Sequence, residues 1–309
     1  MKRFSFLPLA VIILAGTCSI VDNLITDPPR IGPTPSRVPA TLPQMESDTP
    51  VFNIRYSDEP SSRLDALCLD IYPAKGANLP VIIFVHGGGW FRGDKSSVDL
   101  KPAAFNSKGY VFISVNYRLI PEVEVIQQLQ DVSRAIAWVK LNISEYGGDP
   151  KRIILLGHSA GAHIVALLGT DETYFLADGL VLADIKGIIS LDTQTYDLLK
   201  LLSNLNPETG GEVYWETFGH DPEFWKQLSP VWHVSPNVDI PPFFIAYTGE
   251  KQSRVILSTH FFNTLTDAGV PVELLPVSDK THGQLNRELG LSNDYVTTAI
   301  FTWLDQIIR

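Results

Sequence analysis

Between Arg152 and Leu168 the chain reads RIILLGHSAGAHIVALL: an apolar run of strand length, a small polar interruption, and a second apolar run that continues as a helix. The interruption, GHSAGAH from Gly157 to His163, sets Ser159 between two glycines as G-x-S-x-G. A buried strand that passes within five residues into a buried helix needs a sharp turn. Glycines on either side of the serine provide the backbone freedom and close approach that such a turn requires. A turn of this kind lifts the serine hydroxyl clear of the sheet, so a parallel sheet flanked by helices is the first architecture the chain implies.

The rest of the sequence repeats the same alternation. Short apolar blocks lie at ALCLDIY (66–72), VIIFVH (81–86), YVFISVNY (110–117), IKGIISLD (185–192), FFIAYT (243–248) and PVELLPV (271–277). Blocks with helical spacing separate them. Ile126, Leu129, Val132, Ile136, Val139 and Ile143 recur at three- and four-residue steps before Gly147 and Gly148, and further helices are expected around Val255–Leu265 and from Asp294 to Ile308. Strands that are apolar throughout are buried on both faces, which predicts an α/β fold with a mostly parallel sheet and helices on both sides. Between about 193 and 240 the alternation breaks into short pieces rich in Tyr196, Tyr214, Trp215, Phe218, Phe224, Trp225 and Trp232. We expect a small cap-like insertion there, its aromatics forming either a satellite core or an apolar wall for a ligand, with Trp90 and Trp215 as candidate contacts.

The first residues, MKRFSFLPLAVIILAGTC, have a basic start, an apolar run from Phe4 to Leu14 and then small residues, as in an export signal over 1–18. Two outcomes are open: cleavage between Ala15 and Cys18, giving a periplasmic or secreted protein, or a lipid anchor on Cys18, where LAGTC departs from a lipobox at Thr17. Residues 19–50 are proline-rich and read as a tether, which leaves 51–309 as the globular domain. The chain has 309 residues, a net charge of −10 and no run of clustered Lys or Arg, which argues against a nucleic-acid partner and for a small molecule. Only Cys18 and Cys68 are present, and no His or Cys pair has metal-ligand spacing, so neither a disulfide framework nor a metal or other cofactor is expected.

The chemistry concentrates in three places. A serine hydroxyl becomes a useful nucleophile when a neighbouring base removes its proton, and Ser159 occupies an exposed strand-to-helix elbow suited to that role. HGGGW, from His86 to Trp90, follows the 81–86 strand, where its main-chain N–H groups can join that of Ala160 in stabilising an oxyanion. A phosphate-binding loop is excluded there, since no Lys-Ser or Lys-Thr follows at the required spacing. His282, in DKTHGQLN after the last strand, can be carried by a loop back over the elbow, and the order serine before histidine suits this arrangement. His158 and His163 belong to the elbow itself, His220 and His233 fall in the insertion, and His260 lies within a helix.

HGGGW, GHSAGAH and THGQLN, in this order, resemble the α/β-hydrolase esterases of the hormone-sensitive-lipase and kynurenine-formamidase-like groups over most of the chain from about Val51. The resemblance implies an eight-stranded α/β-hydrolase core and cleavage of carboxylic esters, or of a formamide, with Ser159 as nucleophile, His282 as base and Gly88, Gly89 and Ala160 as oxyanion donors. It also implies an acid in a G-x-x-D pattern, and here the chain departs: Gly249-Glu250-Lys251-Gln252 puts a neutral amide at that position. An amide can orient an imidazole but cannot stabilise the imidazolium. Asp192, at the end of IISLD, is the preferred replacement, with Glu250 as the alternative and Asp279 behind it. The expected activity is that of a serine carboxylesterase for short- to medium-chain esters acting through an acyl-enzyme. An arylformamidase is the near alternative, and a non-catalytic binding protein that keeps the fold is the distant one.

Overall fold

A computed structural model describes residues 48–205 and 211–308 of the chain; the segments assigned to an export signal, to Cys18 and to most of the tether lie outside the described residues. The elements run β1 (Val51–Arg55), β2 (Cys68–Tyr72), β3 (Leu79–Val85), α1 (Lys101–Ser107), β4 (Val111–Val115), α2 (Val125–Asn142), β5 (Gly148–His158), α3 (Ala160–Leu168) and α4 (Thr173–Leu176). They continue with β6 (Ile185–Leu191), α5 (Leu198–Leu202), α6 (Glu212–Phe218), α7 (Pro222–Gln227), β7 (Phe243–Thr248), α8 (Gln252–Asp267), β8 (Val272–Val277), α9 (His282–Arg287) and α10 (Tyr295–Ile307).

The eight strands form one sheet in the order β1-β2-β4-β3-β5-β6-β7-β8. β1, β2 and β4 pair antiparallel, and every pairing from β4–β3 onward is parallel. Strand pleating sorts the continuous apolar runs onto two faces. Val81, Ile83 and Val85 of β3 and Ile153 and Leu155 of β5 join the core under α2, α3 and α8, whereas Ile82, Phe84, Ile154 and Leu156 join a second core under α1 and α10. Helices thus cover both faces, as the unbroken apolar strands require.

Two features depart from the sequence expectation. β1 was not foreseen: it is an edge strand of five residues, all half-buried or exposed, so it carries little apolar signal. Among the described residues, the 193–240 segment contains three short α-helices, α5, α6 and α7, and its aromatics divide between both expected roles. Tyr196, Phe218 and Trp225 are buried in the larger core, while Tyr214 lines the cavity above the sheet.

Candidate active site

Ser159 stands at the β5–α3 junction with φ 57° and ψ −118°. A non-glycine residue rarely adopts this backbone, and here the surroundings hold it in place. The Ser159 N–H donates to Leu191 O at 2.9 Å, pinning the elbow to the end of β6. The two flanking glycines are required by close packing. A Cβ on Gly157 would lie 2.2 Å from Gly161 O, and one on Gly161 would lie 2.1 Å from Val85 O.

His282 Nε2 lies 3.0 Å from Ser159 Oγ, and His282 Nδ1 lies 2.6 Å from Asp192 Oδ2. The sequence places the histidine on a loop; the structure makes it the first residue of α9. Thr281 and Gln284 form a capping box, in which the Gln284 N–H donates to Thr281 Oγ1 and the Thr281 N–H donates to Gln284 Oε1. THGQ therefore starts a short helix and points its imidazole across the elbow.

Asp192 follows β6 with φ 57°, and its side chain is fully buried. Burial alone would raise its pKa. Hydrogen bonds from His282 and from the Thr248 N–H (2.7 Å), with the Arg254 guanidinium 3.0 Å away, outweigh that effect and hold the carboxyl below its ordinary range. An ionised Asp192 can only accept, so His282 carries its proton on Nδ1 and turns the lone pair of Nε2 toward Ser159 Oγ.

The other acids are placed elsewhere. Glu250 Oε2 accepts from the main-chain N–H of His282 at 2.6 Å and does not serve the imidazole. Gln252 opens α8 with an exposed side chain, and Asp279 accepts from Tyr295 OH at 2.7 Å on the surface. Arg118–Asp131 and Arg63–Asp94 are structural ion pairs at 2.7 and 2.8 Å.

Gly88 and Gly89 have φ of 132° and 61°, and a Cβ on Gly88 would lie 1.8 Å from Arg92 O, so the loop can turn there only as glycine. Ala160 is the first residue of α3. Among the described residues the N–H groups of Gly88, Gly89 and Ala160 have no acceptor, and all three residues line the cavity that contains Ser159 and His282. This cavity is about 570 Å³ in volume. His86 braces the loop: its Nδ1 is 2.8 Å from Gly87 O, its ring stacks on Tyr117 at 4.5 Å, and burial lowers its pKa to about 4.

Trp90 lines the cavity, packed edge-on to His163, Tyr214 and Phe218. Trp215 does not: it stacks on His220 at 5.1 Å and packs against Trp225, away from Ser159. Neighbouring helix residues point about 100° apart, so the wall position falls to Tyr214, and the expectation for Trp215 is corrected accordingly. Three supporting residues escaped the sequence reading. Thr248 and Arg254 bind Asp192, and Gln194 ties Tyr214 OH to the Ser253 hydroxyl at 2.5 Å on each side. His158, set aside there as part of the elbow, braces His282: its Nε2 lies 3.0 Å from His282 O and its ring 4.5 Å from that of His282.

A mostly parallel sheet with a serine elbow, a histidine after the last strand and a carboxylate after β6 defines an α/β-hydrolase. The chain belongs to the BD-FAE family, whose model matches residues 69–261. It is 29% identical over 245 residues to an isoprenylcysteine alpha-carbonyl methylesterase of Arabidopsis thaliana, covering 75% of this chain and 56% of that protein. It is 32% identical over 244 residues to esterase LipQ of Mycobacterium tuberculosis, covering 76% of this chain and 57% of the relative. The chain thus spans a little over half the length of these curated relatives. Among solved structures, a truncated carbohydrate esterase from gut microbiota superposes with a TM-score of 0.69 at 21% identity, over 84% of this chain and 96% of that one. An acetyl ester-xyloside bifunctional hydrolase from Caldicellulosiruptor lactoaceticus superposes with a TM-score of 0.62 at 27% identity, over 78% and 88%.

Proposed function

We propose that the chain is a serine carboxylesterase. The observation that carries this reading is the hydrogen-bonded series Ser159 Oγ–His282–Asp192, at 3.0 and 2.6 Å, beside three N–H groups in one cavity that have no acceptor among the described residues. His282 Nε2 removes the Ser159 proton as Oγ attacks the ester carbonyl, and Asp192 stabilises the imidazolium that results. The carbonyl oxygen becomes an oxyanion held by Gly88, Gly89 and Ala160. Collapse expels the alcohol with the proton from His282, and water, activated by the same imidazole, releases the acid.

Esterase names among the relatives support the same reaction class. The bounded cavity and its wall of Trp90, Val213 and Tyr214 suit a short or medium acyl group. A panel of chromogenic acyl esters, with N-formylkynurenine alongside, tests the reading: ester turnover and fluorophosphonate labelling are expected, both lost in Ser159→Ala. Activity confined to the formamide would select the arylformamidase, and an unlabelled wild-type Ser159 would select a binding protein. The basic and apolar start of the chain supports export, with Cys18 as the residue that would carry a lipid; palmitate incorporation lost in Cys18→Ser tests the anchor.

A further inference from the structure

Arg254 is a buried guanidinium, 7% exposed, in the first turn of α8. Its Nη1 lies 3.0 Å from Asp192 Oδ2 and 3.2 Å from Glu250 Oε2, and it donates to Thr248 Oγ1 at 2.9 Å. Asp192 Oδ2 is the oxygen that receives His282 Nδ1, and Glu250 Oε2 is the oxygen that receives the His282 main-chain N–H. One cation therefore braces both carboxylates that hold the base. The usual G-x-x-D acid would arise from this same β7–α8 segment; here the segment supplies a counter-ion to an acid that has moved to β6.

The arrangement has an electrostatic consequence. Two carboxylates beside one imidazole, without a counter-charge, would favour imidazolium and keep the base protonated where it must be free. We propose that Arg254 is a positioning residue that fixes Asp192 and Glu250 and, by sharing their negative charge, keeps His282 unprotonated at lower pH than the Ser159–His282–Asp192 series alone would allow. This inference rests on the reading of His282 as the base for Ser159.

Other charged or titratable groups face His282 from each neighbouring element. His158 of β5 packs on its ring, and burial holds His158 neutral, with a pKa of about 3. Lys101 of α1 binds the far end of α9 through Asn286 O, and Arg287 folds back over Gly283 on α9 itself. Arg92 and Lys251 line the cavity. Among the described residues, only Arg254 and His282 pair with Asp192, and only Arg254 pairs its charge with Glu250.

The test follows the titration of the His282 imidazole by NMR, assigned with His282→Gln, together with the acid limb of kcat/KM. Arg254→Gln is expected to raise both midpoints by about one pH unit, and Arg254→Lys to restore most of the shift. Glu250→Gln keeps an acceptor for the His282 N–H but removes an anion, so both midpoints should fall. An Arg254→Gln midpoint that is unmoved or lower, with only the yield of folded protein reduced, would overturn the inference. If Arg254→Gln does not fold, Glu250→Gln decides: an unmoved midpoint has the same force. The imidazole titration needs no substrate, so failure of the esterase reading appears as absent turnover, and failure of the Arg254 inference as an unmoved His282.

Discussion

Asp192 Oδ2 accepts from His282 and pairs with Arg254, while Oδ1 is taken by Thr248, so the carboxylate is oriented from three sides before any substrate arrives. Asp192→Asn removes the charge and lets an amide N–H face the imidazole, which favours the wrong tautomer. A fall in kcat of roughly 10⁴-fold is expected. Glu250→Gln should cost less than about 10-fold, since it retains the acceptor for the His282 N–H. Parallel turnover measurements on the two variants decide the assignment, and a larger loss at Glu250 would reverse it. Asp192 was legible because it ends an apolar strand that must finish at the same sheet edge as Ser159. Arg254 was not: its partners lie 62 and 4 residues away, and nothing in the sequence brings Asp192 and Glu250 together. Gly161→Ala tests the elbow itself. Its Cβ would meet main-chain oxygens of Val85 and His86 at 2.1 and 2.6 Å, so a loss of about 3 kcal/mol in denaturant unfolding is expected, with turnover lost in the protein that still folds. Wild-type stability would show that the loop can part.

At the scale of elements, α9 decides where His282 stands, and it is held at both ends. Its start is fixed by the Thr281–Gln284 box, and near its end Asn286 O receives Lys101 Nζ at 2.8 Å. Lys101 is fully buried, lies 5.1 Å from the centre of the Phe84 ring, and burial lowers its pKa to about 8. A buried ammonium is costly unless its bonds are met. Its position between β3 and α9 makes it a brace for His282. Lys101→Met is expected to lower kcat about 10-fold with KM little changed. Reduced thermal stability with unchanged kcat would assign it to packing alone. The parallel strands were legible because burial on both faces writes an unbroken apolar run. α9 and the helices α5–α7, of five to seven residues each, are too short for a 3.6-residue repeat to emerge. Trp215 was misjudged for that reason, because without the register of α6 nothing distinguishes it from Tyr214.

For the whole molecule, the acid limit is expected to follow three buried histidines. His86, His158 and His163 are pushed by burial from 6.5 to about 4, 3 and 4. Each is therefore neutral in the fold, whereas the unfolded chain takes up a proton near pH 6.5. Between that pH and the folded values the unfolded state binds more protons, so stability is fully present above about 6.5 and is lost as pH falls toward 4. One such shift corresponds to about 3 kcal/mol, and two together rival the 5–15 kcal/mol that holds a typical domain. Asp192, depressed, acts in the same direction only near and below its unfolded value, while Asp131 and Asp178, raised by burial, act in the opposite one. His163 isolates the histidine contribution, because it is bonded through Nε2 to Leu228 O at 2.8 Å and touches neither Ser159 Oγ nor His282. His163→Gln keeps a donor for that carbonyl and removes one titrating group. Tm measured from pH 7 to 4 should fall less steeply in this variant than in the wild type, and equal slopes would show that the acid limit is set by the carboxylates.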